Sequence, residues 1–280
     1  MKRFFLHLSI LVVFLLISSE IIIRVFNLAN MPLKKIKKDG ITLYEPYQSG
    51  TMVFGNFGDI RAKFNINPQG YNSLSDYNDS FEGFKYAIIG DSFVEGFHEN
   101  VNKSIGKRAE KILPETQFHE YGRSGWNAHN YLQLCNNIAN QYNEIFVICD
   151  TSDFMENHPE QHTINTSNIR KLVIKSRLFC YLYYNRKAAA ILVPKRLNYI
   201  ASPSKNHTYE VRIVPFQNKF PSNVVWVWRN SKETKLLSEN NIAIKHDLTP
   251  YTFGLFDDHW NSNGRQNAAE TISSYIKIGN

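Results

Sequence analysis

Two short stretches, far apart in the chain, hold the residues that are most able to do chemistry. The first is KYAIIGDSFVEGF, in which an apolar run ends at Gly90 and Asp91 and Ser92 follow. The second is LFDDHWNSNG, in which Asp257 precedes His259 by two positions. A carboxylate at this spacing can accept a hydrogen bond from one imidazole nitrogen, and the other nitrogen can then take a proton from a serine.

Each stretch also fits a structural role when it is considered alone. Asp91 or Ser92 can cap a helix that follows a strand, and the Asp257–His259 loop can be a solvated approach to the last helix. The first stretch is not the G-x-S-x-G nucleophile elbow, because Asp follows Gly90 directly and position 94 is Val. The joint occurrence of both stretches favours a Ser92, His259 and Asp257 triad for acyl transfer.

The elements that must position these residues follow an alternating pattern from residue 84 onward. Apolar runs of strand length occupy 86–89, 117–121, 144–149, 223–228 and 242–248, and helical stretches occupy 104–113, 127–142, 231–240 and 264–278. This alternation predicts a three-layer α/β/α sandwich with a mostly parallel sheet of about five strands. Ligands bind at the carboxyl ends of such strands, so Ser92 and His259 are expected at one sheet edge.

The N-terminus is a long apolar segment. Lys2 and Arg3 precede 23 residues, 4–26, which are long enough to cross a bilayer as a helix. The first part also fits a secretory signal with small residues at 18–19, but apolar character resumes at 21–23. We therefore expect a membrane anchor, with an uncleaved helix favoured over a cleaved signal.

The chain is predicted to have three parts: an anchor or signal at 1–27, a linker and lead-in at 28–83, and an α/β domain at 84–280. A helical insertion is expected at about 168–200, where an aromatic stripe favours packing. The lead-in is rich in Gly, Asn, Asp and Tyr and is expected to hold loops and short strands. A basic cluster at 34–38 opposes the orientation that Lys2 and Arg3 favour, so charge alone does not decide which side of the membrane the domain occupies.

Composition excludes several classes of protein. The net charge is +7, but no basic stripe interleaved with aromatic residues is present, so no nucleic-acid partner is expected. Three cysteines are too few and odd in number for a disulfide framework, and Cys149 is expected in the core. No metal-ligand spacing occurs, and no metal or organic cofactor is predicted. Four further histidines are expected at the surface or in the core rather than as ligands: His98, His119, His129 and His246.

Four blocks in this order, IIGDSFVEG, YGRSGWN, VICDTSDFMEN and DDHWNSNG, resemble the SGNH (GDSL-like) hydrolase superfamily from about residue 85 to the C-terminus. NPQGYNS, just before them, is similar to the lead-in of anchored or secreted members. The resemblance implies a flavodoxin-like fold, with Ser92 as nucleophile, His259 as base and then acid, and Asp257 as the orienting carboxylate. It also implies an oxyanion hole from the N–H groups of Ser92 and Gly125.

The third block departs from the family pattern, because Thr-Ser-Asp stands where the family has Gly-Asn-Asp. Ser152 then occupies the place of the asparagine donor of the oxyanion hole. A serine hydroxyl can donate but is shorter. Either Ser152 donates, directly or through water, or another group such as Asn157 does, or the chain is a non-catalytic member; the intact triad favours activity.

The expected activity is that of an ester hydrolase acting through an acyl-serine on O-acyl groups of envelope or extracellular glycans or lipids. The resemblance and the anchor imply an extracytoplasmic, periplasmic domain. An O-acetyltransferase of polysaccharide modification and a non-catalytic envelope binding protein remain the alternatives. Substrate contacts are suggested for Arg123, Trp126 and Trp260, with packing as the simpler reading of both tryptophans. The oligomeric state is not predicted.

Overall fold

The computed structural model describes residues 1–30, 32–38, 40–55, 57–78, 80–155, 159, 175–182, 213, 216–229, 241–243, 252–253 and 258–279. Most of the predicted insertion at 168–200 lies outside these residues, and so do the predicted helix at 231–240, Asn157, His246 and Asp257.

The chain begins with helix α1 (Lys2–Val25), which is apolar and exposed along nearly its whole length. Within the described ranges it is the one helix that is long and apolar enough to cross a membrane, a test that a signal sequence also meets. Two antiparallel hairpins follow, β1 (Lys35–Lys38) with β2 (Ile41–Tyr44) and β3 (Ser49–Phe54) with β4 (Ile60–Asn65). The short strands predicted for the lead-in are therefore confirmed.

Five parallel strands form the central sheet: β5 (Phe84–Gly90), β6 (Thr116–Gly122), β7 (Glu144–Cys149), β8 (Val224–Trp228) and β9 (Asn241–Ala243). Their order across the sheet is β6-β5-β7-β8-β9, and every neighbouring pair is parallel. This is the flavodoxin-like order, and it reverses at β5, so a ligand crevice is expected at the carboxyl end of that strand. The predicted fold class is confirmed.

Alternation along β5 divides the core between the two faces of the sheet. Ala87 and Ile89 belong to one apolar cluster, and Tyr86 and Ile88 belong to the other. Helix α4 (Ala128–Ile138) covers the first face, and α3 (Ile105–Ile112) and α6 (Ser262–Gly279) cover the second. Burying each isoleucine completely stabilises the fold by about 1.5–3 kcal/mol. Cys149 is fully buried, as predicted.

The lead-in packs on the sheet domain. Ile41 and Tyr71 join the core cluster on the α4 side, and Tyr44 and Met52 form a separate cluster with Phe97, which follows the GDS turn. The lead-in thus reaches the same end of the sheet as Ser92. The division at residues 27 and 83 stays a prediction.

Candidate active site

Ser92 opens a very short helix, α2 (Ser92–Glu95), at the carboxyl end of β5. The Asp91 carboxylate caps this helix by accepting a hydrogen bond from the N–H of Phe93 at 2.9 Å. Gly96, with a φ of 73°, ends it in the left-handed region that favours glycine. Capping and catalysis are therefore compatible here, because Asp91 caps and the Ser92 hydroxyl is left available.

Helix α2 lies directly against the end of the neighbouring strand β6. A Cβ atom on Gly122 would lie 2.0 Å from the backbone nitrogen of Glu95, so only glycine allows this approach. The contact places the nucleophile turn beside the loop that follows β6, which is the loop that carries Gly125.

His259 comes from the loop before α6 and meets Ser92 at this edge. Its Nε2 atom lies 2.7 Å from Ser92 Oγ, within hydrogen-bond distance, although the two residues are 167 positions apart. For Nε2 to accept the serine proton, the neutral ring must carry its own proton on Nδ1. The structure thus brings together two of the three predicted triad residues.

Asp257, the predicted orienting carboxylate, lies outside the described residues. The neighbouring Asp258 is described, with its Oδ1 atom 3.8 Å from His259 Nδ1 and its side chain 96% exposed. That distance is too long for a hydrogen bond. Asp258 therefore does not orient the imidazole in this structure.

A stack of rings holds the His259 imidazole from both neighbouring elements. Phe93 packs against it with ring centroids 4.9 Å apart, and His98 lies parallel to it at 4.2 Å and 14°. His98 is itself stacked on Phe54 of β3, at 3.9 Å and 19°. His98 is buried, which agrees with the core position, one of the two positions predicted for it. The sequence did not predict that it lies beside His259. The only signal for it was its position six residues after Ser92.

The predicted oxyanion-hole glycine lies in a tight turn. The N–H of Trp126 donates to the carbonyl of Arg123 at 3.1 Å, and Gly125 between them has a φ of 79°. A positive φ at the third position of such a turn favours glycine. Among the described residues no hydrogen bond engages the N–H of Gly125 or of Ser92. Both can therefore donate to an oxyanion.

Ser152 lies in a 3₁₀ turn (Thr151–Phe154) after β7, and its side chain has a partner of its own. Its hydroxyl donates to the Asp150 carboxylate at 2.5 Å, and its backbone N–H donates to the same oxygen at 2.7 Å. Asp153 completes the turn by accepting from the N–H of Asp150 at 2.9 Å. The hydroxyl is thus directed within its own turn.

Arg229, which the sequence reading missed, joins the turns that follow three strands. It comes directly after β8, forms an ion pair with Asp150, and lies 3.4 Å from the Asp91 carboxylate. Its guanidinium carbon lies 4.0 Å from the centre of the Phe93 ring. One cation therefore holds the cap of the nucleophile helix and the turn of Ser152. An arginine after an apolar strand has no distinctive local pattern.

Arg123 points into the protein rather than toward a bound molecule. Its guanidinium forms a salt bridge with Glu95 at 2.8 Å, and both side chains are only 2% exposed. The Tyr44 hydroxyl donates a hydrogen bond to Glu95 at 2.8 Å. Burial, with Glu95 adding to it, raises the pKa of this phenol well above its usual value, so the hydroxyl keeps the proton that it donates. Ser124 also donates to Glu95. The cluster ties α2 to the loop of Gly125 and leaves Arg123 no surface for substrate.

Both candidate tryptophans are core residues. Trp126 is 2% exposed and packs against Tyr71, and Trp260 is fully buried and packs against Phe93. Neither offers a face to a sugar, so the alternative of packing describes them. In the part of the chain that the structure describes, no group of three His, Cys, Asp or Glu residues is placed to hold a metal ion.

Comparison with known proteins gives likenesses of fold only. No protein-family model matches the chain, and no curated protein matches it. A solved member of the lipolytic protein G-D-S-L family from Veillonella parvula DSM 2008 is 10% identical, with a TM-score of 0.39, over 70% of this chain and 99% of that one. A candidate lipolytic protein of the G-D-S-L family from Desulfitobacterium hafniense DCB-2 is 11% identical, with a TM-score of 0.34, over 69% and 99%. A candidate SGNH hydrolase from Slackia heliotrinireducens is 10% identical, with a TM-score of 0.30, over 70% and 100%.

Proposed function

We propose that this protein is a serine ester hydrolase that acts through an acyl-serine intermediate. The proposal is carried by the 2.7 Å contact between His259 Nε2 and Ser92 Oγ at the carboxyl edge of the sheet. An imidazole at that distance can take the serine proton as the oxygen attacks a carbonyl carbon. Asp257 is included as the orienting carboxylate on the sequence pattern alone.

The reaction has two halves. Ser92 Oγ forms a bond to the ester carbonyl carbon while its proton passes to His259 Nε2, and the oxyanion is stabilised by the N–H groups of Ser92 and Gly125. The bond to the leaving alcohol then breaks as Nε2 returns the proton to that oxygen. Water then attacks the acyl-serine carbonyl carbon and gives a proton to the same nitrogen. The bond from that carbon to Ser92 Oγ breaks as Nε2 returns the proton to Oγ, which releases the acid and restores free Ser92.

The proposed substrates are O-acyl esters of envelope or extracellular glycans or lipids. The domain that acts on them is anchored outside the cytoplasm by α1. The apolar length of α1 supports the anchor. Gly125 and Ser152 are both exposed, so this edge is open to solvent. An open edge favours water as the acyl acceptor, whereas a transferase needs water to be excluded.

The test uses the full chain in detergent and a short-chain aryl acetate. We expect release of the aryl alcohol and of acetate, and loss of both in Ser92→Ala. Ser49→Ala, at an exposed position at the start of β3, is the matched control and should retain the rate. Acetate that appears on an added sugar instead of in solution would replace hydrolysis by acyl transfer. No turnover in folded protein would favour the binding role.

A further inference from the structure

Glu20 is a carboxylate within the apolar helix α1. The helix rises about 27 Å from Lys2 to Glu20 at ~1.5 Å per residue, which is close to the ~30 Å thickness of a bilayer's hydrocarbon core. If Lys2 lies at one surface, Glu20 lies at the opposite boundary. A charge at that depth is expected to have a protein partner.

Glu20 forms an ion pair with Arg24 at 2.6 Å, and its other partners lie in the segment 175–182, which includes the short helix α5 (Arg177–Cys180). The Glu20 carboxylate accepts hydrogen bonds from the N–H groups of Arg177 and Leu178, at 3.0 and 2.7 Å, and from the Ser176 hydroxyl at 2.8 Å. One side chain of α1 thus satisfies the free N–H groups at the start of α5.

Two further contacts fix the segment to α1. Arg24, one turn after Glu20, donates to the carbonyl of Lys175 at 3.1 Å. Ile23, the buried residue of α1, packs with Ala29 and with Cys180, which is fully buried. The segment is therefore docked along the last turns of α1.

The docked segment leaves apolar surface at the level of the membrane boundary. Leu178 and Phe179 line an apolar groove together with residues 16, 17 and 21 of α1. Phe179 is 55% exposed and Leu182 is 39% exposed. Basic side chains border the groove at Arg24 and Lys175.

We propose that residues 175–182 form a second membrane contact, in which lipid chains fill this groove and Phe179 and Leu182 enter the bilayer interface. This inference rests on the proposed anchoring by α1. Lipid is the occupant because the groove continues the surface that α1 itself presents to the bilayer. Lys175 suits anionic headgroups at this level, and a basic residue near such a surface contributes about 1 kcal/mol.

The residues that follow α1 are joined to the hairpin β3–β4, which contacts the candidate active site. Arg61 of β4 donates to the carbonyl of Phe26 at 2.9 Å, and the Asn30 side chain exchanges two hydrogen bonds of 2.6 Å with the backbone of Val53. Phe54, the next residue, begins the ring stack on His259. A series of direct contacts therefore links the residues that follow α1 to His259 and Ser92.

The experiment uses the full chain in vesicles that contain anionic lipid, with a polarity-sensitive fluorophore on Phe179→Cys or Leu182→Cys. The three native cysteines are buried. Lipids that carry a quencher near the headgroup should remove most of the emission at both positions. Phe84→Cys is the matched control, because Phe84 is 49% exposed but lies at the amino end of β5, and its emission should persist.

Further labelled variants distinguish failure of the α1 anchor from failure of the second membrane contact. A label on Leu11→Cys, measured with lipids that carry the quencher at the end of the acyl chain, reports insertion of α1, and its failure to be quenched overturns the anchor and this inference together. A quenched Leu11 label with Phe179 behaving like Phe84 overturns this inference alone. Disulfide-linked dimers of Phe179→Cys, with no quenching, would show that a second copy covers the groove. Glu20→Leu should lower quenching at residue 179 while α1 stays inserted.

Discussion

The imidazole rings of His98 and His259 lie parallel, with centroids 4.2 Å apart. His98 is in turn stacked on Phe54, which belongs to the hairpin β3–β4 of the lead-in. The orientation of the candidate base is therefore set by packing from outside the α/β domain as well as by any carboxylate partner. His98 is a positioning residue, because it acts on the reaction through its stacking on the candidate base.

Replacing His98 separates stacking from simple burial. We expect His98→Ala to open space beside His259 and to lower kcat/KM by up to about 100-fold, since small displacements of catalytic groups have effects of that size. His98→Phe preserves a flat ring and should recover most of the rate. Steady-state kinetics on an aryl acetate, with circular dichroism as the check of folding, would decide. Equal losses in both variants would contradict the stacking role.

Ser152 is predicted to contribute little to the oxyanion hole. Its hydroxyl donates to Asp150, so Ser152→Ala should lower kcat by much less than the roughly 10²–10³-fold loss that follows removal of an oxyanion-hole donor. Ser152→Asn introduces the asparagine that the SGNH (GDSL-like) pattern has at this position, and it should preserve or raise the rate. The comparison of kcat among the three proteins is the measurement. A loss of 10²-fold or more in a folded Ser152→Ala protein would show that the hydroxyl reaches the substrate.

Arg229 is predicted to be needed for both stability and rate. Its side chain is 10% exposed, and Arg229→Met would leave the carboxylates of Asp91 and Asp150 without their cation. Because these carboxylates are 15% and 27% exposed, we expect a cost of about 1–3 kcal/mol. Arg229→Lys keeps the charge but not the fork, and it should recover only part of this. Urea unfolding and kcat/KM measure the two effects, and an unchanged Arg229→Met protein would contradict the bridge.

Stability should fall on acidification because of His119. Burial, with Lys85 and Lys107 adding to it, lowers the pKa of this histidine to about 4. Its contribution to stability is therefore complete above the unfolded pKa of about 6.5 and is lost as the pH falls to about 4, by at most ~3 kcal/mol.

The variant His119→Gln tests this sign. Glutamine can keep the contact that His119 Nδ1 makes with the Tyr142 hydroxyl at 2.7 Å, but it does not titrate. The free energy of unfolding should depend less steeply on pH in this variant, and His129→Gln, at a half-buried position, is the control. Identical pH slopes for His119→Gln and the wild type would contradict the assignment.

The sheet was predictable from sequence because its strands are nearly continuous apolar runs. The run 144–149 gives β7 with the same bounds, and the GDS turn falls at the end of β5 as expected. Fully buried parallel strands leave this strong signal because both of their faces are covered. The position of Ser92 follows from the same pattern, since a glycine and a capping acid must end the strand.

The surroundings of the dyad were not predictable in the same way. Arg229 and His98 act through contacts between elements that are distant in the chain, and no local spacing encodes them. Arg123 beside Gly125 suggested a substrate contact, yet its partner Glu95 lies in the nucleophile helix and neutralises it. The meaning of a charged residue here depends on the side chain it faces, which a single sequence does not give.

The most direct test of the central claim is covalent labelling of Ser92. The full chain in detergent is treated with an organophosphonate, and the adduct is located by mass spectrometry of its peptides. We expect one phosphonate on Ser92 in the wild type, none in Ser92→Ala, and strongly slowed labelling in His259→Asn, because the serine then lacks its base. Folded wild-type protein that stays unlabelled, or that is labelled equally fast without His259, would contradict it.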